Sequence, residues 1–121
     1  MGDQTNGAYA LIETANDPST GVRQHVHERE DETWFILEGE YVFHVGGQTM
    51  SAHAGDYVFE PRNVPHSYAN YSTSVARTLI MVAPAGFEGF WRESASLGAD
   101  AAAHAALSLK YGVKFVANRK D

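Results

Sequence analysis

The stretch that decides the fold of this chain runs from Gly21 to Gly39 and reads G-V-R-Q-H-V-H-E-R-E-D-E-T-W-F-I-L-E-G. At its centre, His25 and His27 lie two residues apart, and Glu32 follows after four further residues. Alternate side chains of a β-strand point to the same face, so two histidines at this spacing face one space. Glu32 joins them if the chain turns through the charged residues and returns as the next strand.

A second stretch, Pro61–Asn70 (P-R-N-V-P-H-S-Y-A-N), adds a third imidazole. Three histidines and one carboxylate are plausible ligands for a metal ion in a site without sulfur. The sequence therefore predicts a metal site made of His25, His27, Glu32 and His66, with the rest of the chain as its housing.

Length and composition exclude several classes of protein. With 121 residues, of which 44% are hydrophobic, we expect one globular domain over residues 1–121. The formal charge of −6 argues against nucleic-acid binding, which needs a basic surface. The chain has no cysteine, so disulfides, thiolate metal sites and a cysteine nucleophile are excluded. No apolar run approaches the roughly 20 residues of a membrane span, and the N-terminus lacks signal-peptide features, so we expect a cytoplasmic protein.

Short β-prone runs separated by Gly, Pro and Asn make up most of the chain. The predicted strands are Ala8–Glu13, Val22–His27, Thr33–Leu37, Glu40–Val45, Gln48–Ala52, Asp56–Glu60, His66–Asn70 and Ala76–Val82. Such close spacing is typical of an antiparallel sandwich or barrel, which we expect over residues 8–83.

The pattern changes after Pro84. Aromatic residues at helical spacing predict a short helix over Gly86–Ser94 with an aromatic packing face, formed by Phe87, Phe90 and Trp91. Asp100 is a candidate N-cap for a second helix, Ala101–Leu109. We expect this helical segment, residues 86–112, to pack against the outside of the sheets.

The order of the candidate ligands resembles the two motifs of the cupin superfamily. The order H-x-H, four residues, E, six residues, G over His25–Gly39 resembles the first motif. The order G, five residues, P, three residues, PH, three residues, N over Gly55–Asn70 resembles the second. The residues after Asn70 are similar to those of small bacterial cupins described as quercetin-dioxygenase-like.

Two positions depart from the family pattern. Gly21 lies two residues closer to the histidines than the usual first-motif glycine, so that loop is shortened or turned differently. Asn63 stands where the second motif usually has glycine. Because Asn tolerates the left-handed conformation better than most residues, we expect the turn at this position to be retained.

The resemblance implies an all-β double-stranded β-helix, or jelly roll, with two short C-terminal helices and a metal ion inside the barrel. By it, His25, His27, Glu32 and His66 are the ligands of one divalent transition metal (Fe, Ni, Co, Mn, Zn or Cu). It also implies a homodimer. The other charged residues of the first motif, 28–31, are expected to form a solvated loop.

A divalent ion held by three neutral imidazoles and one carboxylate keeps a net positive charge, which stabilises a bound enolate or phenolate. Glu32 is then a candidate general base. With dioxygen as co-substrate, the quercetinase-like resemblance implies a dioxygenase. Without dioxygen, the same site suits an isomerase or a polyketide-type cyclase. A module that binds a small ligand without catalysis is the third hypothesis.

Candidate pocket residues are aromatic or apolar and lie near the proposed ligands in sequence. They are Trp34, Ile36, Phe59 and Tyr68. For Trp34 and Ile36, a role in the ordinary barrel core is an equal alternative. An aromatic lining favours a small, flat, apolar substrate. Four other residues are expected at the surface: His44, His53, His104 and Arg77.

Overall fold

The computed structural model of this protein describes residues 2–116. A short 3-10 helix, Gly2–Thr5, precedes the barrel. The strands are β1 (Ala10–Asn16), β2 (Thr20–His27), β3 (Asp31–Glu38), β4 (Glu40–Val45), β5 (Gln48–His53), β6 (Tyr57–Glu60), β7 (His66–Asn70), β8 (Ala76–Ala83) and β9 (Val113–Phe115). The helices are α1 (Glu88–Ser94) and α2 (Ala101–Lys110), both between β8 and β9.

The strands form two antiparallel sheets that face each other. One sheet has the order β1-β8-β3-β6, and the other has the order β5-β4-β7-β2-β9. The two sheets build the barrel of a double-stranded β-helix, and the expected all-β fold with two helices near the C-terminus is confirmed.

Alternation of buried and exposed side chains along the strands gives each sheet an inner face. On β8 the alternate residues Ala76, Thr78, Ile80 and Val82 are buried. Large aromatic residues from both sheets fill the interior, including Trp34 from β3 and, from β4, Tyr41 and Phe43. Burial of each large apolar side chain contributes about 1.5–3 kcal/mol, so the barrel core has substantial stability of its own.

Strand prediction is accurate where turn residues delimit a run sharply. Strands β4 and β7 have the predicted bounds, whereas the others differ by a few residues at one or both ends. Strand β9 is absent from the sequence prediction, because three residues are too few to show alternation. It pairs with β2, where Phe115 lies opposite His25.

The helices form as expected. The Asp100 side chain accepts a hydrogen bond from the Ala103 amide at 3.1 Å, which makes it the N-cap of α2. The aromatic residues at the start of α1 pack against the barrel core, and the rings of Phe87 and Phe90 stack at 4.8 Å.

Asn63 has a φ of 63°, so the left-handed turn expected at this position of the second motif is retained. Neither helix within residues 2–116 has the length and apolar character needed to span a bilayer.

Candidate metal centre

Three histidine side chains meet inside the barrel on the inner face of the five-stranded sheet. His25 lies directly opposite His66 in the β2–β7 pair, and His27 is two residues further along β2. The three ring centroids are 4.4–5.2 Å apart, and the residues are only 1–7% exposed. The structure therefore brings together the three histidines that the sequence singles out.

Glu32 reaches these histidines from the opposite sheet. It is a buried residue of β3, and its Oε1 lies 3.4 Å from His27 Nε2, while its Oε2 lies 4.0 Å from His66 Nε2. The indole N–H of Trp34 donates to Glu32 Oε2 at 3.3 Å. All four predicted ligands thus lie in one cluster, with Glu32 oriented by a neighbouring side chain.

A second carboxylate, Glu60, belongs to the same cluster and was missed by the sequence reasoning. It lies directly opposite Glu32 in the β3–β6 pair, and its Oε1 is 3.6 Å from His66 Nε2. The sequence does carry a signal for it. Val58 and Glu60 are two residues apart on a short strand, so their side chains point to the same face of the sheet. Because Val58 is a core residue, Glu60 must also point into the barrel.

Backbone carbonyls orient two of the imidazoles. His25 Nδ1 donates to the Arg23 carbonyl at 2.7 Å, and His66 Nδ1 donates to the Val64 carbonyl at 3.1 Å. A carbonyl can only accept, so each Nδ1 carries the hydrogen and each Nε2 keeps its lone pair. This is the arrangement that holds metal-ligating histidines in other proteins.

Burial keeps His25 and His66 neutral. It lowers the pKa of His25 to about 4, although the hydrogen bond to the Arg23 carbonyl opposes the shift. It also lowers the pKa of His66 to about 3, with further contributions from the charges of His25 and His27. Burial, followed by the charge of Glu32, raises the pKa of Glu60 well above its usual range. Neutral imidazoles at pH 7 are ready to bind a metal ion without first losing a proton.

Several atoms of the cluster that could bind a metal ion are buried without a hydrogen-bond partner among the described residues. They include His66 Nε2 and both carboxylate oxygens of Glu60. A buried unsatisfied polar atom costs about 1–3 kcal/mol, and a cation at the centre of the cluster would satisfy all three. Two sets of potential ligand atoms share His66: one with His25 and His27, the other with Glu32 and Glu60. The residues present therefore fit a metal ion.

Glu30 departs from the expectation of a solvated loop at residues 28–31. It is buried, and its Oε1 lies 3.6 Å from His27 Nδ1. Only three residues separate the end of β2 at His27 from the start of β3 at Asp31. The chain must reverse tightly there, and the reversal turns Glu30 inwards beside the cluster.

Aromatic rings surround the cluster. The Phe87 ring packs edge-on against His27 at 4.4 Å, and the Phe115 ring lies 5.7 Å from His25. Inside the barrel, the rings of Trp34 and Tyr68 are 4.4 Å apart. Burial, followed by the charge of Glu32, raises the pKa of Tyr68 to about 12, so its phenol is neutral at pH 7.

Two of the other candidate pocket residues lie elsewhere. Ile36 is part of the hydrophobic core of the barrel, the alternative role considered for it. The expectation that Phe59 lines the pocket is wrong, because its side chain is 52% exposed. It alternates on β6 with the buried Val58 and Glu60, so it points to the outer face of the sheet.

The residues expected at the surface lie outside the cluster. His53 is exposed and approaches Asp56, and Arg77 is exposed and pairs with Glu13. His44 and His104 are partly exposed; they contact the Thr49 hydroxyl and the Gly98 carbonyl, respectively.

Two antiparallel sheets around a buried cluster of histidines and glutamates define a small jelly-roll protein with a candidate metal centre. A sequence model of the Cupin domain matches residues 15–82, more than half of the chain. The chain belongs to the cupin family.

Relatives with assigned roles cover only parts of the chain. It is 27% identical over 88 residues to the quercetin 2,3-dioxygenase of Bacillus subtilis, which covers 73% of this chain and 26% of that enzyme. It is 42% identical over 53 residues to an oxalate-binding protein of Thermotoga maritima, which covers 44% of each chain. The chain thus spans less than half the length of these two relatives.

The fold is shared with solved cupin structures. The crystal structure of a predicted oxalate decarboxylase from Thermotoga maritima superimposes with a TM-score of 0.62 at 30% identity, covering 69% of this chain and 72% of that one.

Proposed function

We propose that this protein is a metal-dependent cupin enzyme, specifically a dioxygenase that acts on a small enolic or phenolic aromatic substrate. The main supporting observation is the buried cluster of three imidazoles on one sheet, two of which, His27 and His66, lie 3.4–4.0 Å from carboxylate oxygens of the other sheet. The likeness to a quercetin 2,3-dioxygenase over 73% of the chain supports the oxygenase branch.

The proposed ligands are His25, His27 and His66 through Nε2, and Glu32 through its carboxylate. A bound divalent ion, chosen from Fe, Ni, Co, Mn, Zn and Cu, would supply Lewis acidity towards a substrate oxygen and, if redox-active, reactivity towards dioxygen. The carbonyls of Arg23 and Val64 keep two of the imidazoles in the tautomer that this role requires.

Glu32 also serves as the proton acceptor. The Trp34 indole N–H engages its Oε2, so its Oε1, if only loosely ligated to the ion, can take the proton from an enol or phenol hydroxyl. A carboxylate held by one hydrogen bond keeps its orientation while its second oxygen exchanges a proton. Loss of the Trp34 N–H would therefore affect proton transfer without removing any ligand.

Aromatic residues exclude water and select the substrate. Trp34 and Tyr68, whose rings pack 4.4 Å apart inside the barrel, are the aromatic residues that would border the ring of such a substrate beside Glu32. We place the substrate entrance beside Phe115. Its ring borders His25 and is 42% exposed, whereas Phe87, which covers His27, is only 4% exposed. Phe115 also lies on the three-residue edge strand β9, the shortest in the barrel.

Metal content and oxygen uptake test this proposal together. Protein purified without chelator is analysed by mass spectrometry for metal, and oxygen consumption is recorded with a flavonol and with a smaller enolic phenol. We expect a redox-active metal and substrate-dependent oxygen uptake, both lost in His66→Ala and both kept in the surface control His53→Ala. Failure to bind any of the six metals after reconstitution overturns the metal centre. Metal binding without oxygen uptake overturns the dioxygenase.

A small-ligand-binding cupin without catalysis is the second candidate. The specific observation in its favour is the 42% identity to an oxalate-binding protein, although that match covers only 53 residues. Calorimetric titration of the metal-loaded protein with oxalate distinguishes the two candidates. Tight binding of oxalate without oxygen uptake favours the binding module, whereas oxygen uptake with an enolic substrate favours the enzyme. Substrate turnover without oxygen uptake would instead favour the isomerase or cyclase.

We further propose a homodimer that uses the outer face of the four-stranded sheet. Five exposed apolar residues lie on its strands: Leu11, Phe35, Leu37, Tyr57 and Phe59. Exposed apolar patches on a small protein commonly mark an interaction surface, and symmetric homodimers are the commonest oligomers.

A further inference from the structure

We propose that Glu60 is a fifth protein ligand of the metal ion, so that the centre combines three imidazoles with two carboxylates. The inference rests on the proposed metal centre and extends it by a residue outside the ligand positions of the two motifs. Three observations support it: the position of Glu60 in the sheet, the burial of its side chain, and the lack of a hydrogen-bond partner for its carboxylate oxygens among the described residues.

The position of Glu60 follows from the register of the four-stranded sheet. Glu32 and Glu60 are directly opposite on β3 and β6, and such pairs place their Cβ atoms about 4.5–5.5 Å apart on one face. Both side chains therefore point to the inner face, towards the histidines of the other sheet. An ion bound by Glu32 at this point is within reach of Glu60 as well.

The potential ligand atoms form two sets, each within 4.8 Å, that share His66: Glu60 belongs to the set with Glu32, and the other two histidines belong to the second set. Bonds from a divalent transition metal to nitrogen or oxygen are about 2.0–2.2 Å, so ligand atoms at right angles are about 3 Å apart and opposite ligands about 4.2 Å apart. Glu60 Oε1 lies 3.6 Å from His66 Nε2, between the 3.4 Å and 4.0 Å that separate Glu32 oxygens from His27 and His66. Glu60 is thus slightly nearer to His66 Nε2 than Glu32 is, while Glu32 also approaches His27 Nε2.

Burial makes an unligated Glu60 costly. The residue is 1% exposed, and neither carboxylate oxygen has a hydrogen-bond partner among the described residues. The indole N–H of Trp34, which also influences the pKa of Glu60, donates to Glu32 at 3.3 Å. Within residues 2–116, the ion pairs of Arg and Lys side chains lie at the exposed surface, and the one basic side chain paired with Glu60 is His66. A divalent cation would supply the positive charge that this carboxylate pair lacks.

Five protein ligands change what the centre can bind. Two carboxylates balance the charge of a divalent ion, and the added oxygen ligand favours Fe and Mn relative to softer ions. A six-coordinate ion would keep a single open position, so a substrate would attach through one oxygen. The proposed substrate class is thereby narrowed to molecules that bind through a single enolate or phenolate oxygen.

Cobalt(II) provides a direct probe of the ligand set, because its visible bands change in intensity and shape with coordination number. Metal-free wild type, Glu60→Gln and the matched control Glu30→Gln are titrated with Co²⁺, and affinities are measured by competition with a chelator. Glu30 is also a buried glutamate beside the cluster, but it faces His27 Nδ1 rather than the Nε2 atoms. Circular dichroism confirms that each variant is folded.

We expect Glu60→Gln to weaken Co²⁺ binding by more than the roughly tenfold to hundredfold that loss of an outer partner of a metal ligand costs, and to alter the visible bands. Glu30→Gln leaves the ligand set unchanged, so it keeps the shape of the wild-type bands; as an outer neighbour of His27 it costs at most roughly tenfold to a hundredfold in affinity. If Glu60→Gln fails to fold, Glu60→Asp, which retains the charge but shortens the side chain, is expected to alter the bands in the same experiment.

Two failures of this test are distinguishable. Wild-type affinity and bands in Glu60→Gln, with altered bands in Glu32→Gln, overturn the role of Glu60 and leave a four-ligand centre. Failure of the wild type itself to bind Co²⁺ overturns the proposed metal centre, and the inference with it.

Discussion

Glu32 and Glu60 lie directly opposite each other on β3 and β6, and both approach His66 Nε2 across the barrel. In the other sheet, His25 and His66 form a second directly opposed pair. The cluster thus combines one cross-strand pair from each sheet with His27, and the geometry of the barrel brings the two pairs face to face. A regular ladder positions such pairs more rigidly than loops would, which suits a preorganised site.

We expect the protein to fold without the metal ion and with a disrupted metal centre. In His66→Ala or Glu32→Gln, metal content should fall to a small fraction of the wild-type value while circular dichroism stays unchanged, because the aromatic barrel core is independent of the ion. Mass spectrometry for metal and thermal unfolding provide the two readouts, with His53→Ala as the surface control. Unfolding of the metal-free wild type at ambient temperature would show that this expectation is wrong.

The stability of the metal-free protein should fall in acid. The pKa is about 4 for His25 and about 3 for His66 in the folded state, against 6.5 in the unfolded chain. Between these values the unfolded chain binds more protons, so the free energy of unfolding decreases as the pH drops below about 6.5. At about pH 5 the loss amounts to about 2 kcal/mol for each histidine. Urea unfolding in chelator at about pH 7.5 and about pH 5 measures it.

The pH dependence of stability at Glu60 has the opposite sign to that at the histidines, so a Glu60 variant provides the control for the acid experiment. The pKa of Glu60 is raised in the folded state, so its contribution to stability is present below the unfolded value of 4.5 and is lost as the pH rises through the folded value. Acidification therefore restores stability at Glu60 while it removes stability at the histidines. The Glu60→Gln variant should show a steeper loss of stability in acid than the wild type; equal slopes would contradict this assignment.

The sequence predicts those residues of the proposed metal centre whose positions follow from residue spacing alone. His25 and His27 share a strand face by parity, and motif spacing identifies Glu32 and His66. Glu60 escapes that reasoning because it ends a four-residue strand before a proline, where a charged residue is usually exposed. Its burial depends on pairing with Glu32, a long-range register that appears only in the folded sheet.

The wrong expectations have the same physical origin. Phe59 is aromatic and close to the second motif, but its parity on β6 is opposite to that of Glu60 and turns it outwards. Glu30 lies in a charged run that reads as solvated, yet the tight reversal between β2 and β3 buries it. Side-chain type predicts burial less reliably than strand parity and turn length at these positions.

The outer face of the four-stranded sheet should mediate self-association. Phe59→Glu places a charge in this apolar patch without touching the barrel interior, so it should convert the proposed dimer into a monomer with little change in thermal stability. Tyr71→Glu is the matched control, because Tyr71 is an exposed aromatic residue that follows β7 of the other sheet. Light scattering after size-exclusion chromatography gives the mass. A dimeric Phe59→Glu, or a monomeric wild type, would contradict the proposed interface.

The proposed entrance beside Phe115 predicts a change in the rate of metal release. The Phe115 ring is half-exposed on edge strand β9, borders His25 and carries the Arg23 guanidinium 4.3 Å above it. Phe115→Ala removes this cover, so a chelator should extract the metal several-fold faster than from the wild type. Its thermal stability should change little, since the ring contributes mainly surface contacts.

Phe87→Ala provides the contrast. Its ring is buried between His27 and the aromatic residues Phe90 and Trp91, so its removal should lower the free energy of unfolding by about 3–5 kcal/mol. Extraction rates are therefore compared well below the unfolding temperature of each variant. Faster extraction from Phe87→Ala than from Phe115→Ala, with both proteins folded, would move the entrance to the α1 side of the barrel. Faster extraction from Phe115→Ala places it at β9, where a short edge strand can separate from β2 at the loss of few hydrogen bonds.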